Sequence, residues 1–222
     1  MNLNIIYEDD YVIICHKRAG ISVETAKIGE LDMVSQLRNY KNETSKDSYI
    51  GVIHRLDQPV EGLLVFAKTP KVAAALSKQI SQNEMKKLYL AILCGIPKVK
   101  EEIRIDYLLK NGKTNISSVV SKNTPNAKKS ELKYTILKTM DKTSLAEIEL
   151  YTGRHHQIRV QMANAKLPLW GDVKYNKEFL NQRGIKLALC AYKLSFFHPI
   201  LKKKMTFQIE PYNEEFRGFM KE

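Results

Sequence analysis

The chain has 222 residues, 44% hydrophobic and 27% charged, a globular composition that excludes disordered, collagen-like and disulfide-scaffold classes. Lys and Arg outnumber Asp and Glu by 36 to 24, a formal net charge of +12, which points to a polyanionic partner: RNA or DNA first, an anionic membrane surface second. No apolar run approaches the ~20 residues of a transmembrane helix.

Met1 to Cys15 reads as two short strands around Glu8-Asp9-Asp10, because Ile5, Ile6, Val12, Ile13 and Ile14 are β-branched and flanked by polar residues. The acids stand where a signal peptide would carry bases. Glu30 to Leu37 has helical spacing, and the polar stretch Arg38 to Ser48 reads as a loop. Gly62 to Ala67 is a continuous apolar run suited to a buried strand. Thr69-Pro70 then supply an N-cap and a first-turn proline for a helix whose inner face is Val72, Leu76 and Ile80. Strand patterns follow at Lys86 to Gly95, Glu101 to Leu108, Glu131 to Leu137 and Leu145 to Tyr151. Few helices separate them, so the class is α+β with a mostly antiparallel central sheet, not regular βαβ. Between Lys110 and Lys133 six lysines face one glutamate, the composition of a mobile basic loop or hairpin. After Gly153 a helix carries Ile158 and Met162 inward, Leu187 to Phe197 and Met205 to Ile209 return to strand, and Glu214 to Met220 forms a terminal helix. At about 100–200 residues per domain, and with no repeat or linker, one domain over residues 1–222 is expected. Cys15, Cys94 and Cys190 lie far apart in apolar segments without a C-x-x-C pair, so buried free thiols and a reducing cytoplasm are expected.

Two clusters carry possible chemistry. In Gly51 to Lys68, His54, Arg55 and Asp57 share a tight turn before an apolar strand. Charges there cost desolvation unless paired or used, and a local Arg55–Asp57 ion pair is the plain alternative to a functional role. In Thr152 to Arg159, the i and i+3 spacing of His156 and Arg159 puts both on one helical face. Zinc is a tempting ligand for His54, His155, His156, Cys190 and His198, but no pair has the usual spacing. A Ser-His-Asp site lacks its strand-elbow glycines.

Taken in order, the motifs resemble the RluA-type RNA pseudouridine synthases. They are His54-Arg-Leu-Asp57 before an apolar strand, Lys87-x-Tyr89-x-Ala91, Gly153-Arg-x-His-Gln-Ile-Arg159 and Pro168-x-x-Gly171-Asp172-x-x-Tyr175. Tyr7-Glu8-Asp9-Asp10, Leu189-Cys190-Ala191 and His198-Pro199 extend the resemblance over nearly the whole chain. Two departures stand out: Val60-Glu61 where the family often has Thr-Ser, which sets a charge beside the expected phosphate path, and Cys190 where it often has His.

The resemblance implies a pseudouridine synthase fold and isomerisation of uridine to pseudouridine in rRNA or tRNA. No nicotinamide, ATP or metal is implied, in keeping with the lack of G-x-G-x-x-G, P-loop and zinc signatures. Asp57 is implied as the carboxylate that either attacks the anomeric carbon or assists departure of the base. Arg159 is implied as the cation favouring its ionised form, and Tyr89 as the residue that stacks on the base and serves in proton transfer. Arg55 is implied to fill the gap left by the flipped uridine, with His54, Arg154, His156, Gln157 and Leu189 as further substrate-binding residues. A cytoplasmic monomer without membrane contact and without an accessory N-terminal RNA-binding domain is expected. The rival class is a non-catalytic RNA-binding module or RNA chaperone on the same fold.

Overall fold

Strand-forming side chains dominate the start of the chain. In the computed structural model, which describes residues 3–25, 29–44, 49–180 and 182–220, they form β1 (Ile5–Glu8) and β2 (Val12–Lys17). The turn between them is tied by Asp9, whose Oδ1 accepts the Tyr11 and Val12 N–H groups at 2.8 and 2.9 Å. There follow α1 (Met33–Thr44), β3 (Gly51–Val52), β4 (Glu61–Ala67), α2 (Pro70–Ser81), β5 (Lys86–Cys94), β6 (Glu101–Asn111), β7 (Ile116–Val120), β8 (Lys128–Met140) and β9 (Thr143–Leu150). The chain ends with α3 (Gln157–Asn164), β10 (Leu189–Phe197), β11 (Lys204–Gln208) and α4 (Arg217–Met220). The fold is α+β with mostly antiparallel pairing. The described residues divide into two compact units, one drawn from the chain up to Lys87 and from Ala191–Tyr212, the other from Leu88–Cys190 and the chain from Asn213 on.

In the first unit the strand order is β1-β2-β4-β10, with β3 paired to β4 and β11 to β10. The β1–β2, β2–β4, β3–β4 and β10–β11 ladders are antiparallel. Every residue of β2 and β4 is buried, which is why Gly62 to Ala67 is a run and not an alternation. Val12, Ile14, Leu63 and Val65 pack with Val72 and Leu76 of α2 and with Leu194 and Phe196 of β10. Helix α2 begins as the sequence predicts, with Thr69 Oγ1 accepting the Val72 N–H at 3.3 Å and Pro70 in the first turn. Gly62 has φ +137°, and a Cβ there would lie 2.5 Å from the Ala191 backbone nitrogen.

Helix α1 departs from expectation. It continues through Arg38 to Thr44, where polar composition predicts a loop; residues 45–48 of that predicted loop lie outside the described residues. Tertiary contacts hold these polar turns, since Leu37 is fully buried and the Tyr40 hydroxyl donates to Glu8 Oε2 at 2.9 Å. Asp32 and Ser35 also cap the helix start reciprocally, at 2.7 and 3.0 Å.

The second unit orders its strands β5-β9-β8-β6-β7, with antiparallel ladders throughout. The basic stretch is a hairpin: β6 and β7 pair from Tyr107–Val120 to Asn111–Ile116, and Lys110, Lys113, Lys122, Lys128 and Lys129 are exposed. Helix α3 turns Ile158 and Met162 inward as predicted. All three cysteines are free, and Cys15 and Cys190 are buried. Cys94 is only half-buried, a correction to the expected burial. No helix among the described residues is long and apolar enough to cross a membrane.

Candidate active site

Asp57 belongs to the first unit, half-buried on a turn closed by the Val60 N–H donating to the Asp57 carbonyl at 3.0 Å. Its neighbour Leu56 is buried, while Arg55 extends into solvent. The turn is fastened by Lys17 at the end of β2, a fully buried side chain. Lys17 Nζ donates to the carbonyls of Arg18, Ile21 and Gln58 at 3.1, 2.7 and 3.1 Å, which satisfies its three donors. Burial lowers the Lys17 pKa to about 7, against the carboxylates of Asp57 and Glu61, which favour the ammonium form. Two more bonds join the same segments: the Gly20 N–H donates to the Gln58 carbonyl at 2.8 Å, and Gln58 Nε2 donates to the Gly20 carbonyl at 3.1 Å. Lys17 was not legible as a site residue, because a lysine at a strand end reads as solvated until the fold brings three carbonyls to it.

His54 Nε2 accepts the Val65 N–H at 3.4 Å, and its Nδ1 is buried with no hydrogen-bond partner among the described residues. Burial, then the charge of Lys87, pushes its pKa down to about 3, so the ring is neutral. Glu61 corrects the sequence reading. It does not stand on a phosphate path but lies buried, with Oε2 accepting the Tyr212 N–H at 3.1 Å and sitting 3.8 Å from His16 Nε2.

The second unit holds the other motif. Arg159, 2% exposed in the first turn of α3, forms a two-toothed pair with fully buried Asp172. Nε donates to Oδ2 and Nη2 to Oδ1, both at 2.8 Å. Asp172 Oδ1 also accepts the Lys174 and Tyr175 N–H groups at 2.9 and 3.2 Å. Gly171 delivers this carboxylate: its φ is +72°, and a Cβ would collide with the Lys186 carbonyl. Asp172 and Tyr175 stood in the fourth motif without an assigned role; their partner is 13 residues from Asp172 in sequence, and only the fold pairs them.

His156 caps α3 in the left-handed conformation, φ 54° and ψ 25°, a strained choice for a residue with a Cβ. Its ring stacks on His155 at 3.7 Å, and its Nδ1 lies 2.7 Å from Tyr175 Oη. That oxygen accepts the Ser117 N–H at 2.8 Å, and Ser117 Oγ is 2.8 Å from His155 Nδ1. Burial first, then Arg159 and His155, pushes the His156 pKa down to about 2. His156 and Arg159 thus converge on the Tyr175 ring, which the Arg159 guanidinium overlies at 5.2 Å.

Gln157 is engaged within the fold: Oε1 accepts from Thr152 Oγ1 and the Arg154 N–H at 2.8 and 2.9 Å, and Nε2 donates to the Glu131 carbonyl at 3.1 Å. Arg154 is exposed, its Nε on the Lys129 carbonyl at 3.0 Å. Tyr89, 6% exposed, pairs across the sheet with Ile148, and Leu189 is buried at the start of β10. No group of three His, Cys, Asp or Glu among the described residues is placed to hold a metal.

The mostly antiparallel α+β fold is one that solved structures share. Human RNA pseudouridylate synthase domain containing 4 superposes with a TM-score of 0.79 at 21% identity, covering 94% of this chain and 89% of that one. The profile of RNA pseudouridylate synthase matches residues 11–164, and the chain belongs to that family. It is 32% identical over 211 residues to ribosomal large subunit pseudouridine synthase C of Buchnera aphidicola subsp. Baizongia pistaciae, covering 92% of this chain and 65% of the relative. It is 33% identical over 221 residues to ribosomal large subunit pseudouridine synthase D of Neisseria meningitidis serogroup A, covering 94% of this chain and 58% of the relative. It is 31% identical over 222 residues to tRNA pseudouridine synthase C of Haemophilus ducreyi, covering 93% of this chain and 90% of the relative. The chain therefore spans less than two thirds of the first two relatives and most of the third.

Proposed function

We propose that this chain isomerises uridine to pseudouridine in structured rRNA or tRNA, as one cytoplasmic, monomeric catalytic domain that needs no cofactor. The observation that carries the proposal is the fastening of the Asp57 turn: a half-buried carboxylate beside a fully buried lysine, on a turn tied at Gln58 by three hydrogen bonds to Lys17 and Gly20. A nucleophile on a surface loop gains most from such rigidity, because misplacement by ~1 Å can cost about 100-fold.

In the reaction the bond from uracil N1 to ribose C1′ breaks, the base rotates, a bond from C5 to C1′ forms, C5 loses its proton to solvent and N1 gains one. Asp57 serves at C1′, Tyr89 stacks on the base, and Arg159 is the cation assigned to keep the carboxylate charged. The exposed Arg55 occupies the space vacated by the flipped uridine, which offsets part of the few kcal/mol lost in unstacking. His156 and Arg154 line the RNA, while Gln157 holds the loop that presents them. The curated relatives are named for ribosomal large-subunit RNA and for tRNA, which supports RNA as the partner.

The test uses RNA labelled with tritium at uracil C5, taken from a strain lacking the protein. Wild type is expected to release tritium without added cofactor. Asp57→Asn is expected to lose release by several orders of magnitude while binding RNA within about tenfold, since binding rests on phosphate contacts elsewhere. Salt-dependent RNA binding with no release by wild type would instead identify a non-catalytic RNA-binding module.

A further inference from the structure

We propose that Lys110 and Lys174 of the second unit form a subsite for one phosphodiester of the substrate RNA, placed where the β6–β7 hairpin meets the loop after Gly171; this rests on the isomerase assignment above. Lys110 lies directly opposite Ser117 in the hairpin, so the two side chains leave the same face with Cβ atoms about 5 Å apart. Lys174 reaches the same hairpin, its Nζ donating to the Asn115 carbonyl at 3.1 Å. An ammonium carries three donors, so this bond leaves Lys174 two with which to hold a ligand.

Two observations point to an anion. First, neither lysine has a carboxylate within ion-pair distance among the described residues. The acids beside them are engaged elsewhere: Asp172 pairs with Arg159, and Asp106, on the same face of β6 as Lys110, accepts from Gln161 and Asn164 of α3 at 2.8 and 3.3 Å. Second, positive charge gathers here around a buried ring that stays neutral. Behind burial, the groups that lower the His156 pKa to about 2 are Arg159, His155, Lys174 and Lys110, in that order. Like charges brought together in this way are eased by a bound anion, and the anion that an enzyme of RNA meets along its whole substrate is the phosphodiester.

The geometry is fixed in advance. Ser117, 3% exposed, gives its N–H to Tyr175 Oη and meets His155 Nδ1 through Oγ, both at 2.8 Å. Tyr175 Oη lies 2.7 Å from His156 Nδ1, and the Lys174 and Tyr175 N–H groups donate to Asp172 Oδ1. The loop that carries Lys174 is therefore the loop that grips Arg159, and the hairpin that carries Lys110 is bonded to it through Ser117 and Asn115. A phosphate held by the two lysines is registered against Arg159 by rigid contacts, which would place it at a constant offset from the reacting uridine.

The experiment uses the full chain and a transcript spanning a uridine that chemical probing shows to be modified by wild type. The phosphates of the transcript are ethylated at random, which removes their charge, and filters separate bound from unbound RNA. Ethylation at one phosphate, at a fixed offset from the modified uridine, is expected to exclude the transcript from wild type; the variant carrying both Lys110→Gln and Lys174→Gln should no longer discriminate at that position, while Lys113→Gln should still do so. On the unmodified transcript each single variant is expected to raise KM by about 10-fold and to change kcat much less, and the double variant by less than the product of the two, since both lysines serve one phosphate. Melting curves check folding, and the exposed Lys110 supplies a variant that keeps the test open should Lys174→Gln be unstable. Tritium release by wild type with an interference pattern that is even along the transcript, or unchanged in the double variant, overturns this proposal alone; absence of tritium release by wild type overturns the isomerase assignment and this proposal with it. Saturable binding of inorganic phosphate that the transcript does not displace also overturns it, since it marks a free-anion site.

Discussion

Arg159 and Asp172 form a pair whose members are both out of water, so removal of Arg159 leaves the buried Asp172 charge without its counter-ion, held among the described residues only by the Lys174 and Tyr175 N–H groups. Arg159→Ala is expected to lower unfolding free energy by about 3–5 kcal/mol, the typical cost of an uncompensated buried charge. Arg159→Lys should recover part of that, because one ammonium cannot reproduce two parallel N–H bonds. Urea denaturation reads both values, and an Ala variant as stable as wild type would contradict the pairing. Lys17 makes a prediction of different sign. Its pKa falls from 10.5 unfolded to about 7 folded, so between those values the folded state binds fewer protons. The burial penalty is therefore complete below pH 7 and is relieved as pH rises toward 10.5, with a slope of at most about 1.4 kcal/mol per pH unit. Melting temperatures at pH 6.5 and 9 should show wild type gaining on Lys17→Met as pH rises. Parallel pH profiles for the two proteins would mean that Lys17 does not titrate there.

Strand β4 illustrates how one element serves both packing and site. Its residues are buried on both faces, it receives the chain directly from the Asp57 turn, and its second residue passes close against the backbone of Ala191. Gly62→Ala would require a φ that side chains avoid and a Cβ within 2.6 Å of three atoms of Ala191. A loss of about 1–3 kcal/mol is expected, together with lower activity, as the strand that anchors the turn shifts. Gly112→Ala is the control, since nothing lies within 4 Å of its added Cβ; its stability should stay within about 0.5 kcal/mol of wild type. Equal stability of the two variants would show that β4 yields where the structure says it cannot. Helix α1 shows the converse case, an element whose last turns are kept by contacts and not by composition.

Across the whole molecule the surplus of +12 is the feature that an RNA partner would read at long range. If Z phosphates are neutralised on a folded, mostly single-stranded target, log affinity should fall with log salt at roughly 0.7Z to 0.9Z. Replacing the exposed Lys113, Lys122, Lys128 and Lys129 of the hairpin region with Ala should flatten that slope and spare stability. Lys129 pairs with Glu131 at 2.8 Å, a surface ion pair of small worth. Filter binding between 50 and 300 mM salt, roughly the range where such slopes are linear, reads the effect. An unchanged slope would remove the hairpin from the RNA-binding surface.

Local chemistry was legible in the residues themselves. The β-branched pairs around Asp9, the apolar run of β4, the Thr69-Pro70 start of α2 and the inward Ile158 and Met162 of α3 all follow from propensity and periodicity, which act over a few neighbouring residues. The ordered motifs identified the family and nominated Asp57, Tyr89 and Arg159. What the residues could not declare was which distant groups meet. The burial of Lys17 depends on carbonyls at positions 18, 21 and 58, and the inward turn of Glu61 on the N–H of Tyr212. The partner of Arg159 depends on a glycine that brings Asp172 against it, and the helical path of Arg38 to Thr44 on contacts reaching back to Glu8. These are long-range desolvation and hydrogen-bond terms, and they exist only once the tertiary fold has removed water from the charges and set their partners beside them.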